Sequence, residues 1–284
     1  MKIAHYPNNL PGNAKEVYPQ LLKAIGATDT VVENSMDADA ALIWSVLWYG
    51  KMSANKRVWD HYRAQDKPVI VIEVGGLIRN TTWKLGINGI NRDADFALEE
   101  YMPDDRVKKL GIMLQPWRQE GEYVLVCGQH GHSEQWRNMP DMDTYYRNTI
   151  TEIRMHTDKP IVVRSHPRYR ESLHWACDMQ WYKDNNVTWN IPKHIQQTYD
   201  SFDLEYMLKH THFCVSHSSN AGLTSIINGV PAVVSESSLA WDVSTSMGQW
   251  LSKPERHYWL NKLCYIEWYA DEIDTQWKRL RSVI

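Results

Sequence analysis

The sequence predicts an α/β protein made of two Rossmann-like halves, each built on a parallel sheet, facing a cleft. Three observations carry the prediction. Short apolar runs bounded by polar and turn residues alternate with stretches of helical spacing, which is the β-α-β order of a parallel sheet. That alternation is interrupted once, over residues 93–119, by a charged and irregular stretch holding MPDD and Pro116. The length of 284 residues also suits two domains of about 130–150 residues better than one.

Taken in order, residues 1–6 read as a first strand, followed by the turn PNNLPGN and an amphipathic helix over 14–24. Residues 40–44 and 68–73 repeat the strand signal, with a helix over 55–65 between them. Beyond a boundary near 115–122 a second series begins, with strands at 123–127, 161–164, 187–189, 213–215 and 232–234. Helices are expected at 142–155, 204–209 and 221–227. In the last thirty residues Trp259, Leu263, Ile266, Ile273, Trp277 and Leu280 recur at roughly helical spacing. The expected domains are therefore 1–118, 119–250 and 251–284, the last a set of helices packing across the two halves.

Composition narrows the function classes. Hydrophobic residues make up 43% and charged residues 23%, and no apolar run approaches the roughly 20 residues of a membrane span. The start, MKIAHYPNNL, lacks the apolar core and cleavage site of a secretion signal. Cys127, Cys177, Cys214 and Cys264 are widely separated and form no CxxC pair, as expected of reduced thiols in a cytoplasmic protein. A net charge of −3 excludes a strongly basic nucleic-acid coat but not a local basic cleft. Fourteen tryptophans and 15 tyrosines against three phenylalanines suit rings that stack on sugars or bases as well as a core.

Open parallel sheets bind ligands beyond the carboxyl ends of their strands. In the second half three polar loops follow strands: GQHGHS from Gly128, SHPR from Ser165 to Arg168, and HSSN from His217 to Asn220. Ser218, Ser219 and Asn220 fall at a predicted helix N-cap, and a helix N-terminus favours anions. Together the loops predict an anionic ligand held by Gly128, Gln129, His130, Arg164, His166, Pro167, Arg168, Ser218, Ser219, Asn220 and Thr224. His130 and His132 have no third ligand at zinc-like spacing, so no metal is expected.

His166-Pro167 after a strand, and Ser218-Ser219 before a helix leading into Asn228-Gly229-Val230-Pro231, resemble the HP and SS motifs of nucleotide-sugar domains in GT-B glycosyltransferases. The likeness is strongest to sialyltransferase and capsule Kdo-transferase types and to glycosyltransferase-like phage proteins, and it covers about residues 122–236. It implies that Gln129, His166, Pro167, Ser218 and Ser219 hold a nucleotide and its phosphates. Thr224 stands where many such enzymes have a ribose-binding glutamate, so the resemblance leaves UDP- and CMP-linked donors both open.

The first half holds EVGGLIRNTTWKLGINGINRDADF, residues 73–96. Gly75 and Gly76 after a strand permit close backbone approach, while Arg79, Trp83, Lys84, Asn88 and Asn91 offer charge, a stacking face and amides for an acceptor. A base must take the acceptor proton, and Asp93 is the first candidate, with Glu73 next and Asp95 and His5 behind. Arg164 and Arg168 are expected to stabilise the departing phosphate. The resemblance implies a metal-independent glycosyltransferase without a resident cofactor, using a nucleotide-sugar as co-substrate. The favoured acceptor is 5-hydroxymethylcytosine in double-stranded phage DNA, in the cytoplasm of an infected host. Its support is the interleaving of bases and rings at Trp136-Arg137, Tyr145-Tyr146-Arg147, Arg168-Tyr169-Arg170 and Trp277-Lys278-Arg279, and a basic wall of Arg79, Lys84, Arg92 and Arg168. A surface or capsular polysaccharide is the alternative acceptor, and a non-catalytic nucleotide- or DNA-binding module the rival from another class.

Overall fold

The computed structural model describes residues 1–169, 179–195, 201–250 and 252–284. Cys177 and Arg170 lie outside the described residues. The chain divides into two compact units: Met1–Gly111 with His132–Glu134 and Leu260–Ile284, and Ile112–Gly131 with Gln135–Trp259.

The first unit runs β1 (Lys2–His5), α1 (Tyr18–Gly26), β2 (Thr30–Glu33), β3 (Ala40–Trp44), α2 (Asn55–Arg63), β4 (Val69–Val74), β5 (Thr82–Ile87) and α3 (Asp105–Leu110). The second runs β6 (Tyr123–Cys127), α4 (Met142–Arg154), β7 (Ile161–Arg164), α5 (Met179–Asp184), β8 (Val187–Asn190), α6 (Leu204–Leu208), β9 (Thr211–Ser216), α7 (Asn220–Ile227) and β10 (Ala232–Val233). The chain returns to the first unit within α8 (His257–Cys264) and ends with β11 (Glu267–Tyr269) and α9 (Ile273–Arg281). The C-terminal segment thus contributes a strand as well as the expected helices.

The second sheet has the order β10-β9-β6-β7-β8 and is parallel throughout. One face, with Val124, Val126, Ile161, Val163, Phe213 and Val215, packs on Met142, Tyr146, Ile150 and Ile153 of α4. That helix starts where the sequence says it should, because the Asp141 carboxylate accepts the N–H of Thr144 at 3.0 Å as an N-cap.

The first sheet has the order β11-β5-β4-β3-β1-β2 and differs in kind. Its β1 to β4 are parallel, but β5 runs antiparallel to β4, and β11 antiparallel to β5. The expected parallel sheet is present over β1 to β4, and β5 and β11 extend it as antiparallel strands. Its middle strand β3, AALIW, is buried at every position, as expected of a strand covered on both faces. Ile3, Leu42, Trp44, Ile70 and Ile72 face α1 and α9, while Ala4, Ala41, Ile43, Val69 and Val71 face Val58 and Tyr62 of α2. No helix among the described residues is long and apolar enough to cross a membrane.

Candidate functional site

In the second sheet the strand order reverses between β6 and β9, the topological switch point where such sheets hold ligands. Cys127 at the end of β6 pairs with Arg164 of β7 and with Ser216 of β9, so the three polar loops leave the sheet level with one another. Gly128 is dictated by sterics: a Cβ there would overlap the Tyr146 hydroxyl. Gln129, 5% exposed, spans the switch point. Its amide oxygen accepts the backbone N–H of Ser218 at 3.1 Å, and its nitrogen donates to Ser218 Oγ at 3.0 Å and to Gln135 Oε1 at 3.3 Å. Ser218 is thereby pinned, and Ser219 caps α7, its Oγ accepting the N–H of Ala221 at 3.3 Å. Thr224 turns its hydroxyl back onto the Asn220 carbonyl at 3.0 Å.

His166 Nδ1 accepts the N–H of Arg168 at 3.2 Å, so the neutral ring carries its proton on Nε2 and serves as a donor. Its ring meets that of buried His130 edge-on at 5.3 Å between centroids, and His130 also lies 4.8 Å from the Tyr169 ring. Pro167 is half-buried and Arg168 exposed. Burial holds His217, which contacts the Gln135 carbonyl at 3.0 Å, below its ordinary pKa. A helix N-terminus and an imidazole donor stand at one edge of the sheet, and both are groups that can serve an anion.

Arg164 does not belong to that set. It is 5% exposed, pairs with Asp203 at 2.7 Å and donates to Asn190. Although burial opposes ionisation of Asp203, the Lys193 N–H and the Arg164 guanidinium hold its pKa below the usual carboxylate range. The cation is consumed by an internal ion pair.

The first unit rearranges the sequence reading more deeply. Because β5 is antiparallel, the loop that follows it leaves the sheet beside the start of β4: Asn88 exchanges hydrogen bonds with the Val69 backbone, at 2.7 Å from its N–H and 2.9 Å to its Oδ1. Asn88, Asn91, Arg92 and Asp93 therefore lie at the amino edge of the parallel strands, opposite the edge where Glu73 stands, and Asp95 is bridged to Ile87 there. Asp93 is corrected as the first candidate base on this ground, and Asn88 and Asn91 as acceptor residues. Trp83 and Lys84, each 2% exposed, are buried rather than offered as a stacking face and a surface cation. Trp136 and Trp277 of the basic and aromatic runs are likewise core residues, and Tyr146 is fully buried.

What remains at the carboxyl edge of the first sheet is a polar cluster. In the strand register Lys84 stands between Glu73 on β4 and Glu267 on β11. Burial lowers the Lys84 pKa, opposed by the charges of Glu267 and Glu73. The Glu267 carboxylate, itself buried, accepts from Gly76 N at 2.6 Å, from Leu77 N at 3.0 Å and from Thr82 Oγ1 at 2.8 Å. The close approach that Gly75 and Gly76 permit is taken by this side chain, since a Cβ on Gly75 would overlap Thr82 Oγ1 and the Glu267 carboxylate. Glu73 is half-buried, with Oε1 accepting Val74 N at 2.8 Å and Oε2 accepting Ser45 Oγ at 2.5 Å. Arg79 is exposed. Gly12, Asn13, Lys15, Glu16, Asn80 and Trp83 line an open pocket of ≈ 240 Å³ in the same unit. Sequence reasoning missed Ser45, although a polar residue directly after a buried strand is the signal it used in the second half. It also missed Glu267, for which no local signal exists.

No protein-family model matches the chain, and no curated protein matches it. Solved structures do. The beta Kdo 2,4 transferase KpsC of Thermosulfurimonas dismutans superposes with a TM-score of 0.57 at 14% identity, covering 99% of this chain and 98% of that one. The beta Kdo 2,7 transferase KpsC of the same organism gives 0.55 at 13% identity, covering 99% and 100%. The two Rossmann-like units described above are thus the GT-B-type fold that these structures share with this chain.

Proposed function

We propose that this protein transfers a sugar from a nucleotide-sugar donor to a hydroxyl group of a saccharide acceptor. The observation that carries the reading is the carboxyl edge of the second sheet, where three loops leave level at the switch point and bring the Ser219-capped start of α7 to the same edge as the His166 donor. A nucleotide phosphate suits that edge in charge and in hydrogen-bond demand. Gly128, Gln129 and His130 brace it, and Ser219, Asn220, His166, Pro167 and Arg168 are the contacts. Glu73 in the first unit is the base: it takes the proton of the acceptor hydroxyl as the oxygen attacks the anomeric carbon. The bond from that carbon to the phosphate oxygen breaks, and its electron pair leaves with the nucleotide, stabilised by the α7 N-terminus.

A saccharide acceptor is favoured over hydroxymethylated DNA for two reasons. Two solved structures of like fold are Kdo transferases. Of the basic wall that supported DNA, Lys84 is buried and Arg92 stands at the amino edge, which leaves Arg79 and Arg168. The test is incubation of the full chain with UDP-, GDP- and CMP-sugars and, in parallel, a panel of oligosaccharides and hydroxymethylcytosine-containing DNA, followed by mass analysis. A mass gain on an oligosaccharide is expected. Gain on DNA that falls steeply with salt overturns the acceptor assignment, since phosphate contacts release counterions. Nucleotide binding without transfer in any pairing returns the protein to a binding module.

A further inference from the structure

Ser45 is the first residue after β3, 2% exposed, and it sits at φ +63°, a backbone region that residues with a Cβ seldom occupy. Glycine would adopt that conformation without steric cost. The presence of a side chain there is accounted for by what its hydroxyl does: Oγ donates to Glu73 Oε2 at 2.5 Å and accepts the N–H of Leu47 at 3.1 Å. The Ser45 N–H still bonds to the Ile72 carbonyl at 2.8 Å, so the sheet continues to its side while the chain turns away after it. The freed Trp44 carbonyl is taken by Asn55 Nδ2 at 2.7 Å, and Asn55 Oδ1 by Asn9 Nδ2 at 2.8 Å. The strained turn is therefore held from both ends. It also lies at the reversal point of the first sheet, between β1 and β3, the place equivalent to the candidate donor edge of the second.

We propose that Ser45 is a positioning residue for Glu73, its hydroxyl fixing one carboxylate oxygen while the Val74 N–H fixes the other, so that the remaining lone pairs face the acceptor hydroxyl. The proposal rests on the reading of Glu73 as the base of sugar transfer. A carboxylate offers about four acceptor sites, and two are filled by fixed donors, which leaves a narrow choice of direction for a third partner. Buried Lys84, held between Glu73 and Glu267, balances the charge from the opposite side. Strain retained at one residue so that a side chain can be aimed is the pattern found where geometry serves chemistry.

The test uses the full chain and Ser45→Gly, with Ser45→Ala as a second variant. Glycine suits φ +63°, so Ser45→Gly keeps the path of the turn and isolates the loss of the hydroxyl. With the donor and acceptor that the panel identifies, kcat falls by roughly 10- to 100-fold while KM for the donor is unchanged, as expected for a misaimed base. A crystal structure of Ser45→Gly has the Glu73 carboxylate turned from its place or spread over two rotamers. If Ser45→Gly keeps kcat within about twofold, or if its Glu73 carboxylate is unmoved, the proposal is overturned. Should the parent protein transfer no sugar, it is the transferase reading that fails, and the Glu73 position in the Ser45→Gly crystal still decides the positioning role.

Discussion

The two carboxyl edges of this molecule are built by opposite means. In the second unit the edge is made from loops that each follow their own strand, and its central contact, Gln129 with Ser218, joins neutral groups across two adjacent strands. In the first unit the edge is made from charge: Glu73, Lys84 and Glu267 stand on three adjacent strands, the last of them nearly two hundred residues further along the chain than the first. A neutral clasp can be loosened locally, whereas removing one member of a buried charge set leaves the others without compensation. The comparison teaches that the first edge is locked in place by the fold, whereas the second, the proposed donor edge, is held by contacts that can yield locally.

The sharpest way to break that contrast is Glu267→Ala. It strands the Gly76 and Leu77 N–H groups, the Thr82 hydroxyl and the Lys84 ammonium, and an expected loss of about 3–5 kcal/mol follows from breaking a buried ion pair on one side. Chemical denaturation measures it, and Glu267→Gln combined with Lys84→Met recovers part of the loss: the buried ammonium is gone, while half-buried Glu73 keeps its bonds from Ser45 and Val74 but loses its cation. A loss below about 1 kcal/mol for Glu267→Ala would mean the first edge is no more rigid than the second.

Next in size is Arg164→Met, which tests whether the second edge hides a lock of its own. Asp203 loses its partner, and a destabilisation of about 2–3 kcal/mol is expected for a pair that is buried at the arginine and partly exposed at the acid. Nucleotide affinity of the folded variant stays the same when followed by calorimetry. A tenfold fall in affinity without loss of stability would restore Arg164 to the donor set.

How far the sequence reached follows the same division. The strands of the second sheet were legible because each is a short apolar run, and the loops GQHGHS, SHPR and HSSN were legible because each directly follows its strand. In the first unit β3 and β4 were legible for the same reason. The short β2, TVVE, and β11, EWY, were not, since their strand character comes from pairing with distant partners. β5 was hidden inside a stretch whose glycines, lysine and asparagines read as a binding loop. Its antiparallel direction, which no local signal encodes, sent Asp93, Asn88 and Asn91 to the amino edge and left Glu73 at the other.

Acid sharpens the comparison further, because another lock of the first unit has a proton to gain. Asp29 is held by Arg281 at 2.9 Å and by the Met1 ammonium at 2.7 Å, tying α9 to the start of the chain. Burial alone would raise its pKa, but these partners and Thr28 bring it down to about 2. A carboxyl whose folded pKa lies below its unfolded value of 3.8 contributes stability above that value and loses it as the pH falls towards 2. Asp29→Asn is therefore expected to cost about 1–2 kcal/mol near neutrality and to flatten the acid limb of the stability profile between pH 4 and 2. An acid limb unchanged by Asp29→Asn would assign that loss to other carboxylates.

The smallest effect on stability belongs to Ser219→Ala, and it is the one that reads function at the second edge. Among the described residues the hydroxyl accepts the Ala221 N–H, at 3.3 Å, so its loss removes an N-cap worth about 1 kcal/mol. Ser218 remains pinned by Gln129, and the path of the loop is kept. If the start of α7 holds a phosphate, the alanine variant binds nucleotide more weakly by roughly three- to tenfold, the net range of a single hydrogen bond. His166→Ala weakens it independently, since the imidazole donates from the loop after β7 rather than from the helix. The two losses then add in the double variant, as expected of separate contacts on one ligand. Unchanged affinity in Ser219→Ala, with the cap energy lost as expected, would make Ser219 a helix cap and nothing more, and would leave the second edge without its anion site.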